Sequence, residues 1–156
     1  MQRRLSTHLE AIGGHKVKAK EYLRQVQAIQ AKIDRRYEET GMLRSMLEST
    51  TSPLGKEYFS HSSNQDKFAN IIAKICDIET EIENLVQEKF QIIFTIEKIE
   101  NPNSFRAIYY KYVNGMNTAE ICKKMDIAEP TLYGYVGDGY KELDKILQNS
   151  LIDRNS

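Results

Sequence analysis

An apolar stripe of helical period runs through residues 65–100 and constrains the fold more than any other feature of this sequence. Its members recur at steps of three and four residues, with only Lys89 interrupting them: Phe68, Ile71, Ile75, Ile78, Ile82, Leu85, Ile92, Ile96 and Ile99. Several such heptads in succession are typical of a long helix that packs as a coiled coil. Phe90, Ile93 and Phe94 widen the stripe near its end, which predicts a second contact surface there, supplied by the C-terminal domain.

A second long helix is predicted from about Val17 to Leu47, because apolar residues again recur at helical spacing. Its seam contains Tyr22, Val26, Ile29, Ile33, Leu43 and Leu47, with Arg36 and Thr40 at two weaker positions. Residues 48–64 are rich in serine and threonine, a composition typical of a loop between helices. The simplest arrangement over residues 1–100 is an antiparallel helical hairpin. The alternative is that either helix pairs with a second copy of the chain, forming a homo-oligomer.

Residues 104–148 predict three short helices separated by two tight turns. Residues 114–115 form the first turn, and either Asn117 or Thr118 can cap the next helix by accepting a hydrogen bond from a free backbone amide. Residues 126–128 form the second turn. This order is that of a helix-turn-helix, which presents one helix to the major groove of DNA.

The predicted fold class is therefore all-α, a long antiparallel helical hairpin (coiled coil) followed by a three-helix helix-turn-helix domain. Residues 149–156 are predicted to form a tail. Three glycines in the last helix, at positions 134, 137 and 139, weaken it by up to about 1 kcal/mol each relative to alanine.

Composition excludes several classes of function. No stretch approaches the roughly 18 consecutive apolar residues of a membrane helix, so we predict no membrane partner and a cytoplasmic location. No glycine-rich phosphate loop, nucleophile elbow or metal-ligand spacing occurs, so we predict no enzymatic activity, cofactor or metal site. Cys76 and Cys122 lie beside apolar residues in helical patterns and are interpreted as small buried hydrophobic side chains.

The charge is zero overall but unevenly distributed. Residues 1–36 carry nine basic and three acidic side chains, a net charge of +6, whereas residues 117–156 carry five basic and seven acidic ones, a net charge of −2. A DNA-binding segment is usually the basic one. This distribution therefore counts against the simplest interpretation of the C-terminal domain.

The same C-terminal segment resembles sigma-factor region four. The matching positions are Gly115, Met116, Glu120, Ile121, Met125, Ile127, Thr131, Leu132, Tyr133, Lys141 and Leu143. The full layout of basic N-terminus, TTS loop, long heptad helix and YYKYVNGM is similar to small phage-encoded sigma-like proteins of Gram-positive phages and prophages, of the late-gene transcriptional activator type. The resemblance implies a transcription regulator that binds double-stranded DNA in a bacterial host cell, with RNA polymerase as a further partner.

By this resemblance, the candidate DNA-binding residues lie on the last two helices. They are Thr118, Lys123, Lys124, Glu129, Pro130, Thr131, Tyr133, Gly134 and Lys141. The family pattern has a serine cap where this chain has Ala128, and basic residues where it has Glu129, Gly134, Gly137 and Asp138. These differences remove the phosphate and guanine contacts that arginine and lysine make. Two alternatives stay open: weak DNA binding that needs a partner, or a protein-binding module.

The sequence is therefore consistent with three functions. The first is a DNA-binding regulator whose coiled coil serves dimerisation or partner docking. The second is a structural or packaging protein, similar to a small terminase subunit, in which the coiled coil builds an oligomer. The third is a module that binds RNA polymerase without strong affinity for DNA.

Overall fold

The computed structural model describes residues 19–51 and 61–154, and this part of the chain is all-α, with no strand in it. The predicted fold class is therefore confirmed at this level. The helices are α1 (Ala19–Thr51), α2 (His61–Ile96), α3 (Pro102–Ile108), α4 (Thr118–Met125) and α5 (Glu129–Arg154), and α3 continues into a π-helical segment, Tyr109–Val113. Among the described helices, none is both long and apolar enough to cross a membrane.

The chain divides into two compact units. The first contains the described residues up to Ala28 and from Glu88 onward, and the second contains those of Ile29–Gln87. The division falls within α1 and α2. The domain boundary that the sequence suggests, after residue 100, stays a prediction.

In the second unit, the buried residues all belong to the predicted seams of α1 and α2: Ile29, Ile33, Thr40, Leu43, Ile75, Ile78 and Ile82. Burial of the first seam residue of α2 was predicted wrongly, since Phe68 is 36% exposed. Thr40, a weak position of the predicted seam, is only 4% exposed. Its hydroxyl donates to the carbonyl oxygen of Arg36 at 2.9 Å, so burial leaves no unpaired donor there. The heptad pattern therefore continues through this polar position.

Ion pairs link α1 to α2 along the edges of this unit. The Arg36 guanidinium contacts Glu81 at 2.9 Å and Glu39 at 2.7 Å, and its hydrogen bond lowers the pKa of Glu39. Arg44 contacts Glu79 at 2.6 Å. Water screens such pairs near the surface, so each contributes little to stability. They are the contacts expected if α1 and α2 pack against each other within one chain, as the predicted hairpin requires.

In the first unit, α1 is held by polar contacts at its first described turns. The Ala19 amide donates to Asp144 of α5 at 2.7 Å, and the Tyr22 hydroxyl donates to Thr95 of α2 at 3.1 Å. A carboxylate is favourable at this place because the first amides of a helix have no partner within it. The buried apolar residues of the unit include Leu23, Val26, Ile92, Ile96, Ile99, Ile108, Ile121, Leu132, Val136 and Leu143.

Helix α5 packs closely on α3, because the contact is made by small residues. Ser104 and Ala107 of α3 are fully buried, and Gly139 of α5 is also buried. A Cβ atom at Gly139 would lie 2.8 Å from Cγ1 of Ile108, a fully buried side chain. Gly139 therefore allows an approach that no other residue would permit.

Side-chain caps and a glycine turn set the ends of the short helices. Asn101 caps α3 by accepting from the amides of Asn103 and Ser104. The first predicted turn is confirmed by Gly115, whose φ of +65° favours glycine. Of the two candidate caps for α4, Asn117 is the one used, in a capping box with Glu120.

Three predicted boundaries are wrong. The loop predicted over residues 48–64 is helical at 48–51 and 61–64, and residues 52–60 lie outside the described part. The tail predicted from residue 149 is helical through Arg154. Helix α2 ends at Ile96 rather than near residue 100.

Serine side chains are accommodated near both of these helix ends. Their hydroxyl groups bond to helix carbonyls, as when Ser49 donates to the carbonyl oxygen of Met46 at 2.9 Å and Ser150 to that of Ile146 at 3.0 Å. A polar composition thus does not end the helix. Helix α2 ends early because the Lys98 amide donates to the carbonyl oxygen of Thr95, three residues back, which tightens the last turn.

Two predictions of burial are also wrong. Cys76 is exposed, because it lies about 100° around the helix from its buried neighbour Ile75. Cys122 is half-buried. Phe90 and Phe94 stack on each other with ring centroids 6.1 Å apart, yet they are 46% and 52% exposed. Only Ile93 of the widened stripe is buried.

Two glycines of α5 give a matched test of the packing between α3 and α5. We expect Gly139→Ala to lower the free energy of unfolding, because its methyl group would overlap Ile108. Gly137→Ala should raise it by up to about 1 kcal/mol, because a Cβ there meets no atom within 4 Å and alanine favours the helix. Thermal unfolding followed by circular dichroism would show this as shifts of opposite sign, about 2–4 °C per kcal/mol. Equal shifts in one direction would contradict the close packing.

A partly buried tyrosine pair gives a test of the packing by pH. Tyr112 and Tyr140 share a short hydrogen bond between their hydroxyl groups, and burial, followed by that bond, raises the pKa of Tyr140. A raised folded-state pKa means that the contribution to stability is complete below the unfolded value of about 10 and is lost as pH rises above it. We expect Tyr140→Phe to cost about 1 kcal/mol at pH 8 and to weaken the loss of stability above pH 10. An unchanged alkaline unfolding profile in the variant would contradict this assignment.

Candidate nucleic-acid interface

The end of α4 and the start of α5 are joined by residues 126–128. Asp126 adopts the left-handed conformation with φ of +55°, which redirects the chain. The Ile127 amide donates to the carbonyl oxygen of Cys122 at 3.1 Å, and the Leu132 amide donates to that of Ala128 at 3.1 Å. The second predicted turn is therefore present, and α5 begins directly after it.

One face of α5 is buried and the opposite face is exposed. Leu132, Val136 and Leu143 point into the core and are at most 6% exposed. Because these residues and Gly139 fall on one side of the helix, the remaining side is left on the surface. The exposed residues there are Glu129, Pro130, Thr131, Tyr133, Gly134, Asp138 and Lys141. We call this set, together with half-buried Gly137, the exposed face of α5.

The structure brings Thr118, Glu129 and Tyr133 together. The Tyr133 hydroxyl donates a short hydrogen bond to Oε1 of Glu129, which raises the pKa of Tyr133. Thr118, at the start of α4, lowers the pKa of the same phenol through a side-chain hydrogen bond, which places its hydroxyl near Tyr133. Tyr133 stays protonated at neutral pH and holds the carboxylate of Glu129 in place.

Two lysines lie on α4, and both are exposed. The Lys124 ammonium lies 4.6 Å from the centroid of the Tyr110 ring, a cation–π contact that orients it. Neither Lys123 nor Lys124 forms a salt bridge within the described residues. Their charges are therefore not neutralised by acidic side chains of this part of the chain.

Lys141 is different, because its ammonium lies 3.5 Å from Asp138. Both side chains are more than 60% exposed, so water screens the pair and it contributes little to stability. Lys141 can exchange Asp138 for another anion at small cost. It lies three turns from the start of α5, at the far end of the exposed face.

Sequence reasoning missed part of this surface. In the sequence, Gly137 stands out only as a departure from the family pattern, and Tyr110 is not among the candidate residues. A Cβ at Gly134 or Gly137 would meet no atom within 4 Å, so these glycines leave an open strip along α5. The strip can be predicted from the four-residue steps between Tyr133, Gly137 and Lys141, because such steps place residues on one side of a helix.

No group of three or more histidine, cysteine, aspartate or glutamate side chains that could hold a metal ion occurs in the described residues. The acidic residues of the exposed face lie singly along α5. What this surface offers chemically is one oriented carboxylate, one phenol, a threonine hydroxyl and lysines at its edges. Such groups suit hydrogen bonding to a polar partner.

Comparison with known proteins identifies one family. Its profile matches residues 60–144, and its description is "Protein of unknown function (DUF1492)". No curated protein and no solved structure matches the chain. The matched segment contains α3, α4 and every candidate DNA-binding residue. Because the match covers more than half of the chain, this protein belongs to the DUF1492 family.

Proposed function

We propose that this chain is a phage or prophage transcription regulator that binds double-stranded DNA through α4 and α5. In this proposal the three C-terminal helices form a sigma-region-four-like helix-turn-helix, and the first turns of α5 enter the major groove. The observation that carries the proposal is the exposed face of α5, which starts directly after a three-residue turn while the opposite face packs on α3. The protein acts in the cytoplasm of a bacterial host and is not an enzyme.

The geometry suits this role. The major groove is about 12 Å wide and admits one α-helix, and the N-terminal residues of a recognition helix contact base edges. Thr131 and Tyr133 lie within the first two turns of α5 and are exposed, Tyr133 by 56%. Lys123 and Lys124 lie on the preceding helix, from which contacts to the phosphate backbone are made.

The charge of the surface predicts low affinity for DNA by this domain alone. Glu129 and Asp138 repel phosphates, and the cations nearby are Lys123, Lys124 and Lys141. Each phosphate contact by a lysine contributes a slope of about 0.9 to the dependence of log affinity on log salt. We therefore propose that α1 and α2 add a dimer contact or a docking surface for RNA polymerase, which supplies the remaining binding energy.

The acidic residues also favour a second candidate function. A module that docks on RNA polymerase needs no cations on the exposed face of α5, and Glu129 and Asp138 would suit a basic partner surface. In this alternative the same face binds protein instead of DNA. The two functions differ in whether DNA binds in the absence of polymerase.

Binding of duplex DNA by the two lysines of α4 can be measured directly. Fluorescence anisotropy of a labelled late-promoter duplex should show binding that weakens from about 50 to 200 mM salt. We expect the double variant Lys123→Ala, Lys124→Ala to bind more weakly and to reduce the salt slope by about 2, because two phosphate contacts are lost. Lys98→Ala is the matched control, since Lys98 is exposed but lies outside α4 and α5, and it should leave the slope unchanged.

Two results would overturn the proposal. One is the absence of any salt-sensitive binding to duplex DNA. The other is an equal effect of Lys98→Ala and of the double variant, which would show that the lysines of α4 have no special role. Binding to RNA polymerase without any binding to DNA would select the docking module instead.

A further inference from the structure

The exposed face of α5 carries a carboxylate that is hydrogen-bonded to a tyrosine of the same face. Glu129 is the first residue of α5, and its Oε1 atom accepts from the Tyr133 hydroxyl. Its other oxygen has no hydrogen-bond partner in the described part of the chain, and Glu129 forms no salt bridge there. The second oxygen of this exposed carboxylate therefore remains available to a ligand.

The phenol determines which chemistry this carboxylate can perform. Because Tyr133 uses its only hydroxyl proton in the bond to Glu129, it keeps Glu129 as an acceptor and adds no donor of its own. A carboxylate that accepts hydrogen bonds requires a donor on its partner. In the major groove, cytosine N4 and adenine N6 are the base donors, and carboxylates pair with cytosine N4.

The glycines allow a base edge to come close. A Cβ at Gly134 or Gly137 would meet no protein atom within 4 Å, so nothing stands above the backbone of α5 at those positions. Glycine is suited to places where a ligand approaches the backbone closely. An approach of this kind would desolvate Glu129, and an unpaired carboxylate would then be penalised. A duplex without a suitable donor at that position is therefore rejected.

We propose that Glu129, held by Tyr133, is a specificity-determining residue that selects a cytosine in the major groove by accepting a hydrogen bond from its N4 amino group. This inference rests on the proposed DNA binding and identifies the base pair that one residue reads. It assigns a positive role to a position where a basic residue would read guanine instead. Tyr133 is a positioning residue, since it acts through Glu129.

Selection from a random duplex library by the full-length chain tests this assignment. The wild-type protein should enrich a cytosine at one position of the bound sequences. Glu129→Gln should shift that position towards adenine, because a glutamine side chain pairs with adenine N6 and N7, and Glu129→Arg should shift it towards guanine. Tyr133→Phe should weaken the preference for cytosine without replacing it.

Asp153→Asn is the matched control, since it removes one exposed acidic charge from the same helix at a position outside the exposed face of α5. It should alter affinity through charge but leave the preferred base unchanged. Circular dichroism of each variant checks that α5 is retained. If Glu129→Gln keeps the base preference of the wild type, or if Asp153→Asn changes that preference as Glu129→Gln does, the assignment is wrong.

Base analogues locate the contact. Replacing the selected cytosine by 2-pyrimidinone, which lacks the amino group, should reduce wild-type affinity about tenfold and should have little effect on Glu129→Gln. Inosine opposite the intact cytosine is the control, because it also weakens the base pair but keeps N4. DNA binding with no preference for cytosine would overturn this inference and leave the proposed function standing. Failure to bind any duplex would overturn both.

Discussion

The structure of the C-terminal helices depends on the contact between Gly139 of α5 and Ile108 of α3. A methyl group at position 139 would lie too close to the buried Ile108 side chain, so the two helices meet at a distance that only glycine permits. Leu132, Val136 and Leu143, on the same side of α5, are buried too. Packing of this face determines which other face of α5 remains on the surface, and the proposed DNA interface is that other face.

The sequence predicts much of this arrangement, because apolar residues at helical spacing mark the buried side of a helix. The heptad residues of α2, such as Ile75, Ile78 and Ile82, are buried as expected, and Leu132 and Val136 mark the inner side of α5. Turn chemistry was equally informative at Gly115 and at the cap of α4. Periodicity fails at Phe90 and Phe94, since the spacing of apolar residues does not reveal whether a second surface covers them.

Other features depend on contacts that no local pattern contains. The glycines at positions 134, 137 and 139 are indistinguishable in the sequence, where all three weaken a helix. In the structure, Gly139 is needed for packing, whereas the other two border open space. The sequence contains the four-residue spacing that brings Glu129 and Tyr133 together on α5. It does not contain the angle of the turn between α4 and α5, which brings Thr118 to them. The sequence thus names these residues individually, but it does not contain their association.

Charge is the second constraint on function. If α5 enters DNA as proposed, Glu129 and Asp138 leave it little electrostatic attraction. Its specificity would then come from hydrogen bonds and its affinity from other contacts. The same acidic residues would discriminate strongly between bases, because an unpaired carboxylate is costly in a desolvated groove. Low affinity and defined specificity suit a regulator that acts together with a larger partner such as RNA polymerase.

The most direct test of the central claim is the mapping of backbone amide chemical shifts of the full-length chain by NMR as a late-promoter duplex is added. If the exposed face of α5 contacts DNA, the largest changes will occur at Thr131, Tyr133 and Gly134, followed by the lysines of α4. Changes confined to α1 and α2, or no change at α5 under saturating duplex, would contradict the account.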